Sequence, residues 1–183
     1  MVTGTDISNK LDILQEQLVH LFTTDKKEPR IIRNIIIEAE EISFEDNAQS
    51  QYLLGEAYFL AGRFSAATTT LEKAVMLSPL NADYVGAFAL AQWELGNPNR
   101  AEEYLKICRI LDPLNGQYDF YLGALEETKH NSISALRLYR SARSKLRDTY
   151  FPERQRTKQS TGEAIARLTQ PPKFTFGKGS IVF

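Results

Sequence analysis

The chain has 183 residues, of which 43% are hydrophobic and 25% are charged. These fractions are typical of a globular protein, and the hydrophobic fraction is too high for a fully disordered chain. The sequence also lacks the long apolar run that a transmembrane helix needs. The net charge is −1, yet residues 1–128 carry 20 acidic and 10 basic side chains (net −10), while residues 129–183 carry 3 and 12 (net +9). This asymmetry indicates a charged partner, or contact between the two halves within or between chains.

Residues that carry catalytic or metal chemistry are scarce. Cys108 is the only cysteine and there are two histidines, which excludes an internal disulfide and a cysteine-rich zinc site. Metalloprotease, hydrolase and dinucleotide motifs are missing, and Gly177-Lys178-Gly179-Ser180 lacks the glycine spacing of a phosphate loop. The first residues lack the basic and apolar regions of a secretory signal. We therefore expect a cytoplasmic protein that has no catalytic residues, no metal and no cofactor.

The N-terminal part predicts two helices. Residues 6–23 carry apolar side chains at alternating spacings of four and three, the heptad pattern of a coiled coil. Residues 28–42 are rich in isoleucine over a wide arc, which is typical of a helix covered on more than one side. Together they predict a helical hairpin over residues 1–47 that caps the next part of the chain. The heptad seam has two interpretations, packing against the neighbouring helix or self-association into a homodimer. Its residues are Ile7, Leu11, Leu14, Leu18 and Leu21.

A repeat with a period of 34 residues follows. It relates Gly62 to Gly96 and Pro79 to Pro113, so that turn-forming and helix-ending residues recur at the same register. Apolar runs between these residues predict two helices in each unit, joined by a short turn. The units in this register are 48–81, 82–115 and 116–149.

This period, with Leu54-Gly55, Tyr58, Ala67 and Leu71 in the first unit, resembles the tetratricopeptide repeat (TPR) family. The resemblance implies an all-α fold, a right-handed helical solenoid with an N-terminal helical hairpin and a C-terminal extension. Such units stack because none of them buries its apolar face alone. The family uses the concave side of the stack to hold other polypeptides.

The resemblance also implies which residues face the groove, because the first helix of each repeat lines the concave side in this family. At those positions the chain combines aromatic side chains with carboxylates, which favours a basic ligand. The implied groove residues are Gln49, Tyr52, Glu56 and Phe59 in the first unit, Asp83, Leu90, Trp93 and Glu94 in the second, and Gln117, Phe120 and Glu127 in the third.

The C-terminal part divides into two segments. Residues 150–168 are compatible with the capping helix that often follows the last repeat in this family, although the Ser-Thr-Gly run at 160–162 disfavours helix in its first half. Residues 169–183 contain two adjacent prolines and two glycines and predict an extended or disordered tail. Because residues 173–178 are basic and aromatic, a further hypothesis is that they bind the groove, within one chain or between chains.

A basic surface is predicted on the second helix of the third unit. It suits an acidic protein surface better than a nucleic acid, since no nucleic-acid motif accompanies it. Its residues are Arg137, Arg140, Arg143, Lys145 and Arg147.

Two functions are consistent with the sequence. The first is a non-catalytic adaptor or scaffold subunit that binds a partner peptide in its groove. The alternative is a dedicated cytosolic chaperone for secreted proteins, because the plan of an N-terminal helical segment and three repeats is similar to that of the TPR chaperones of type III secretion. Both imply a protein or peptide partner, and neither implies a membrane span.

Overall fold

The computed structural model describes residues 4–24, 28–42, 47–147 and 152–169. These ranges contain nine α-helices and no strand, so the all-α prediction is confirmed. The helices are α1 (Gly4–Thr23), α2 (Pro29–Ile42), α3 (Ala48–Leu60), α4 (Phe64–Leu77), α5 (Ala82–Glu94), α6 (Pro98–Leu111), α7 (Gly116–Thr128), α8 (Ser132–Lys145) and α9 (Pro152–Thr169).

Helices α3 to α8 form three consecutive pairs that stack on one another. The first helices of the pairs begin at Ala48, Ala82 and Gly116, one sequence period apart. An asparagine precedes each of them, and its side-chain oxygen accepts backbone N–H bonds from the first turn, as at Asn47, where Gln49 N lies 2.8 Å away. These caps satisfy amide groups that have no partner within the helix. The sequence carries a signal for these caps, because the asparagines recur with the period of 34 residues.

The turn inside each pair uses a residue with positive φ, namely Gly62 (72°), Gly96 (91°) and His130 (60°). The two N–H groups at each turn donate to carbonyls in the last turn of the preceding helix, for example Arg63 N to Tyr58 O at 2.9 Å. This is the Schellman arrangement, in which a left-handed residue ends a helix. The chain therefore reverses after the first helix of each pair at the same register.

Small residues let the helices of a pair approach each other. A Cβ added to Gly123 would lie 2.9 Å from the ring of Tyr139, and Ala135 on α8 has no exposed surface. The larger side chains Leu71 and Leu105 fill the space between helices and are also fully buried. The pattern of small and large residues thus sets the spacing of the stack.

The N-terminal helices pack on the first pair. The four leucines of the heptad seam are 1–4% exposed, and they form one core with α2 and with Leu53 of α3, against which Ile7 also packs. Within the chain the seam therefore packs against neighbouring helices, and it offers no exposed stripe for a homodimer.

Helix α9 is continuous from Pro152 through Gly162, so the expectation that the Ser-Thr-Gly run disfavours helix in the first half of this segment is wrong. Burial outweighs the low helix propensity of this run, because Ala164 and Ile165 pack on Ala135 and Tyr139 of α8. Helix α9 also contacts α7 and α1. The predicted start of the tail at residue 169 is one residue too early, since Thr169 belongs to α9, and residues 170–183 lie outside the described residues.

The acidic and basic halves meet within the chain. Asp119 of α7 has no exposed surface, and its carboxylate lies 2.6 Å from Lys145 Nζ and 2.8 Å from Arg109 Nε and accepts a 2.8 Å hydrogen bond from Ser141. Ion pairs also join cations after residue 128 to earlier carboxylates, as in Lys129 with Glu102. Part of the charge asymmetry is therefore neutralised inside one chain.

Candidate functional site

A hollow of about 680 Å³ lies against the first helices of the three pairs. Helices α1 and α9 form further walls, and they touch where Arg156 Nη1 donates a 3.1 Å hydrogen bond to the carbonyl oxygen of Phe22. The lining comprises Gln15, Val19 and Phe22 of α1, Tyr52 and Glu56 of α3, Asp83, Gly86, Ala87 and Leu90 of α5, Leu105 of α6, Gln117, Tyr118, Phe120 and Tyr121 of α7, and Arg156, Thr157 and Ser160 of α9.

The structure brings six of the eleven predicted groove residues to this lining. These six are Tyr52, Glu56, Asp83, Leu90, Gln117 and Phe120. The other five, Gln49, Phe59, Trp93, Glu94 and Glu127, do not line it. The hollow therefore takes in only part of the groove that the sequence predicted.

Three of the five lie against other parts of the chain. Gln49 donates from Nε2 to Gln15 Oε1 of α1 at 3.1 Å. Phe59 meets the ring of Phe64 edge-on, with centroids 5.5 Å apart. Trp93 packs on the core between the second and third pairs. These side chains hold the array together instead of facing the hollow.

The other two predicted groove residues that do not line the hollow are Glu94 and Glu127. Glu94 is exposed at the end of α5. Glu127 binds Arg167 of α9, with both of its oxygens within 2.9 Å of Nη2, and accepts a 2.8 Å hydrogen bond from Tyr139. Glu127 thus anchors α9 on the third pair and is not left for a ligand.

The hollow also contains residues that the sequence did not point to. Val19 and Phe22 come from α1, while Thr157 and Ser160 come from α9. Helices outside the repeat carry these side chains, so the repeat register held no signal for them. Tyr121 follows the predicted Phe120 directly, and the two rings lie 5.4 Å apart.

Glu56 is a carboxyl group of the hollow whose pKa is raised. Burial and the nearby charge of Asp83 raise its pKa from 4.5 to about 8, so the carboxyl group is largely protonated at neutral pH. Burial, followed by the charge of Glu56, likewise raises the pKa of Tyr121 to about 12. The ring of Tyr52 stacks on that of Tyr84 with centroids 4.8 Å apart. A cationic group entering the hollow would favour the ionised form of Glu56.

Metal binding, thiol chemistry and membrane insertion have little structural support in the described ranges. No group of three histidine, cysteine, aspartate or glutamate side chains there is arranged to hold a metal ion. Burial raises the pKa of the Cys108 thiol to about 12, which keeps it protonated and unreactive. No helix in this part of the chain has the length and apolar character needed to cross a membrane.

The predicted basic surface is not a uniform patch. Arg137, Arg140 and Arg143 of α8 and Arg147 after it are exposed. Lys145 instead pairs with the buried Asp119. This lysine therefore has a structural task within the third pair.

Comparison with protein families matches residues 48–79 to the tetratricopeptide repeat. Comparison with curated protein sequences gives no match. Among solved structures, PcrH in complex with the chaperone-binding region of PopD is similar, with 18% identity, a TM-score of 0.61 and coverage of 66% of this chain and 90% of that chain.

Two further structures have comparable likeness. The Yersinia enterocolitica type III secretion chaperone SycD, solved with a peptide of the translocator YopD, has 12% identity, a TM-score of 0.61 and coverage of 68% of this chain and 93% of that chain. A thermophilic TPR protein of Thermus thermophilus has 17% identity, a TM-score of 0.64 and coverage of 74% of both chains. At these identities the likeness concerns the fold. The resemblance predicted from the sequence is confirmed: the chain carries a tetratricopeptide repeat and has the helical fold of TPR proteins, shared with type III secretion chaperones.

Proposed function

We propose that this chain is a non-catalytic protein-interaction module, an adaptor that holds a segment of a partner polypeptide in the hollow. The hollow itself carries the proposal, because it combines aromatic and aliphatic walls with two carboxylates. Aromatic side chains in a concave site supply most of the binding energy in many interfaces, and a few polar groups set the specificity. Glu56 and Asp83 favour a segment with basic residues.

The size of the hollow limits what it holds. Its volume of about 680 Å³ lies in the range of pockets that enclose a small ligand or a few side chains. The module is therefore proposed to grip a short stretch of its partner, in the cytoplasm, and not a folded domain.

A dedicated chaperone for secreted proteins is the second candidate. It is favoured by the coverage of PcrH and SycD, since this chain matches 90% and 93% of their lengths. Both of those structures contain a region or peptide of another protein. A chaperone would be captured with one aggregation-prone client, whereas an adaptor would be captured with several members of a stable assembly.

The test is affinity capture from the native host with the full chain and a charge variant of the hollow. Leu90→Lys places a cation beside the carboxylates, at a half-buried position that faces the hollow. We expect the amount of partner captured by this variant to fall by a factor of about ten or more. The matched control is Leu80→Lys, at a leucine that is 80% exposed, and it is expected to retain the partner. Equal capture by both variants would refute the proposal.

A further inference from the structure

The segment that follows α9 has the composition that suits the hollow. Residues 170–183 contain Lys173 and Lys178, Phe174 and Phe176, and no acidic residue. The hollow offers two carboxyl groups, Glu56 and Asp83, and further aromatic rings. We propose that residues 173–178 of the same chain dock in this hollow, with their lysines facing Glu56 and Asp83 and their phenyl rings against its aromatic wall. The tail then competes with a partner segment for the site, a consequence that rests on the proposed function.

The tail has the reach to return to the hollow. Helix α9 lines the hollow at Ser160 and ends at Thr169, nine residues or about 14 Å further along its axis. Seven extended residues from Thr169 to Phe176 span up to about 23 Å. Pro171 and Pro172 follow after Gln170 and disfavour a continuation of the helix.

The electrostatics of the hollow favour an ammonium group. The charged or titratable groups that line the hollow with Glu56 are Tyr52 of α3, Asp83 of α5, Tyr118 and Tyr121 of α7, and Arg156 of α9. Among them Arg156 is the cation, and its guanidinium donates to the carbonyl oxygen of Phe22 at the contact of α1 with α9. A lysine beside Glu56 and Asp83 would favour the ionised form of Glu56, and neighbouring rings would stabilise the ammonium group further.

Photochemical cross-linking within the full chain tests this docking. The photoreactive amino acid p-benzoylphenylalanine replaces Phe176, and the cross-linked peptides are identified by mass spectrometry. We expect chains of monomer mass with cross-links concentrated on residues 52–56, 83–90 and 117–121. The same probe at Ile110, which is 79% exposed on α6, reports the background of random encounters. Cross-links from position 176 that match this background would overturn the proposal.

Charge variants test the role of the lysines. Glu56→Gln combined with Asp83→Asn is expected to reduce cross-linking to the hollow at least threefold. Lys173→Gln combined with Lys178→Gln is expected to have the same effect, and it leaves every helix residue of the structure unchanged. Glu94→Gln removes an exposed acid at the end of α5 and is expected to leave the yield unchanged. An unchanged yield in both double variants would contradict the proposed charge contacts.

Mixing chains of two isotopic labels separates a tail that docks in its own chain from one that docks in a second copy. Cross-links that join differently labelled chains at the frequency of random pairing would overturn docking within one chain. The capture experiment then reports separately on function: if the tail competes, Lys173→Gln with Lys178→Gln increases partner capture, and equal capture contradicts competition. Failure to capture any partner would reject the proposed function without affecting the cross-linking result.

Discussion

At the scale of single residues, His130 is the departure from the repeat with the clearest physical consequence. It occupies the left-handed region at φ 60°, where Gly62 and Gly96 stand in the earlier pairs. A side chain in this region costs about 1–2 kcal/mol. The third pair keeps the turn because the N–H groups of His130 and Asn131 donate to the carbonyl oxygens of Glu127 and Glu126 at 2.9 Å.

We expect His130→Gly to raise the free energy of unfolding by about 0.5–1 kcal/mol, because glycine adopts positive φ without strain but adds entropy to the unfolded chain. Urea denaturation followed by circular dichroism measures this difference. His20→Gly is the matched control, since His20 lies in the last turns of α1 and glycine there lowers stability by about 1 kcal/mol. A loss of stability in both variants would show that the turn is not strained.

The raised pKa of Glu56 leads to a prediction about pH. Its value of about 8 in the folded chain lies above the ordinary 4.5, so the folded state binds this proton more tightly than the unfolded state. The resulting stabilisation is complete below pH 4.5 and is lost as the pH rises to about 8. Glu56→Gln removes the dependence. The stability of the wild type relative to this variant should therefore fall between pH 5 and 8, by at most about 1.4 kcal/mol per pH unit.

Urea denaturation of both proteins at pH 5.5, 6.5 and 7.5 measures this difference. Asp112→Asn is the control, because Asp112 lies outside the hollow at the end of α6. If the wild type and Glu56→Gln differ by the same amount at every pH, the carboxyl group titrates in the ordinary range and the hollow is better hydrated than its geometry indicates.

At the scale of elements, the packing of α7 on α8 depends on the absence of a side chain at Gly123. An added Cβ would lie 2.9 Å from two ring atoms of Tyr139, whose hydroxyl is held by Glu127. Gly162 of α9 is the opposite case, because nothing lies within 4 Å of an added Cβ. The same substitution therefore has opposite consequences in two helices of one chain.

We expect Gly123→Ala to lower the free energy of unfolding by about 1–3 kcal/mol, since the overpacking exceeds the gain in helix propensity. Gly162→Ala is expected to raise it by about 0.5–1 kcal/mol, because only the propensity changes. Thermal and urea denaturation of the two variants compare these effects directly. Stabilisation by both substitutions would mean that Tyr139 moves aside freely.

The elements also show how far the sequence alone reached. Helices α3 to α8 were predictable, because the period places turn residues and small residues at matching positions. Helix α9 was predicted only in part: its Ser-Thr-Gly run has poor propensity, and the packing of Ala164 and Ile165 on α8 that outweighs this is a long-range contact. In the same way, the repeat register identified the residues of the inner helices but not which of them α1 and α9 leave facing the hollow.

At the scale of the whole molecule, the two ends of the array are in contact. A stack of repeats normally contacts only its neighbours, so local changes stay local. Here α1 packs on α3 and also touches α9, which in turn packs on α7 and α8. The hydrogen bond from Arg156 to the Phe22 carbonyl joins residues 134 positions apart. The walls of the hollow are therefore assembled from both ends of the chain, and its shape depends on both.

This contact predicts coupling between the ends. The half-buried ring of Phe22 packs on the N-terminal core and lines the hollow. Phe22→Ala loosens the end of α1 and with it the carbonyl that Arg156 binds, so we expect faster amide hydrogen exchange in α9 as well as in α1. Phe64→Ala is the matched control, because Phe64 is also half-buried but begins α4, which packs on α3 and α5.

Mass-spectrometric hydrogen exchange resolves the two outcomes by helix. If the two ends stabilise each other, Phe22→Ala lowers the exchange protection of residues 156–169 as well as that of α1. Phe64→Ala is expected to change exchange mainly in the first two pairs. If α9 keeps its full protection in Phe22→Ala, the ends touch without stabilising each other. The hollow would then open at α1 while α9 stays in place, and a bound segment would be held by the repeats and α9 alone.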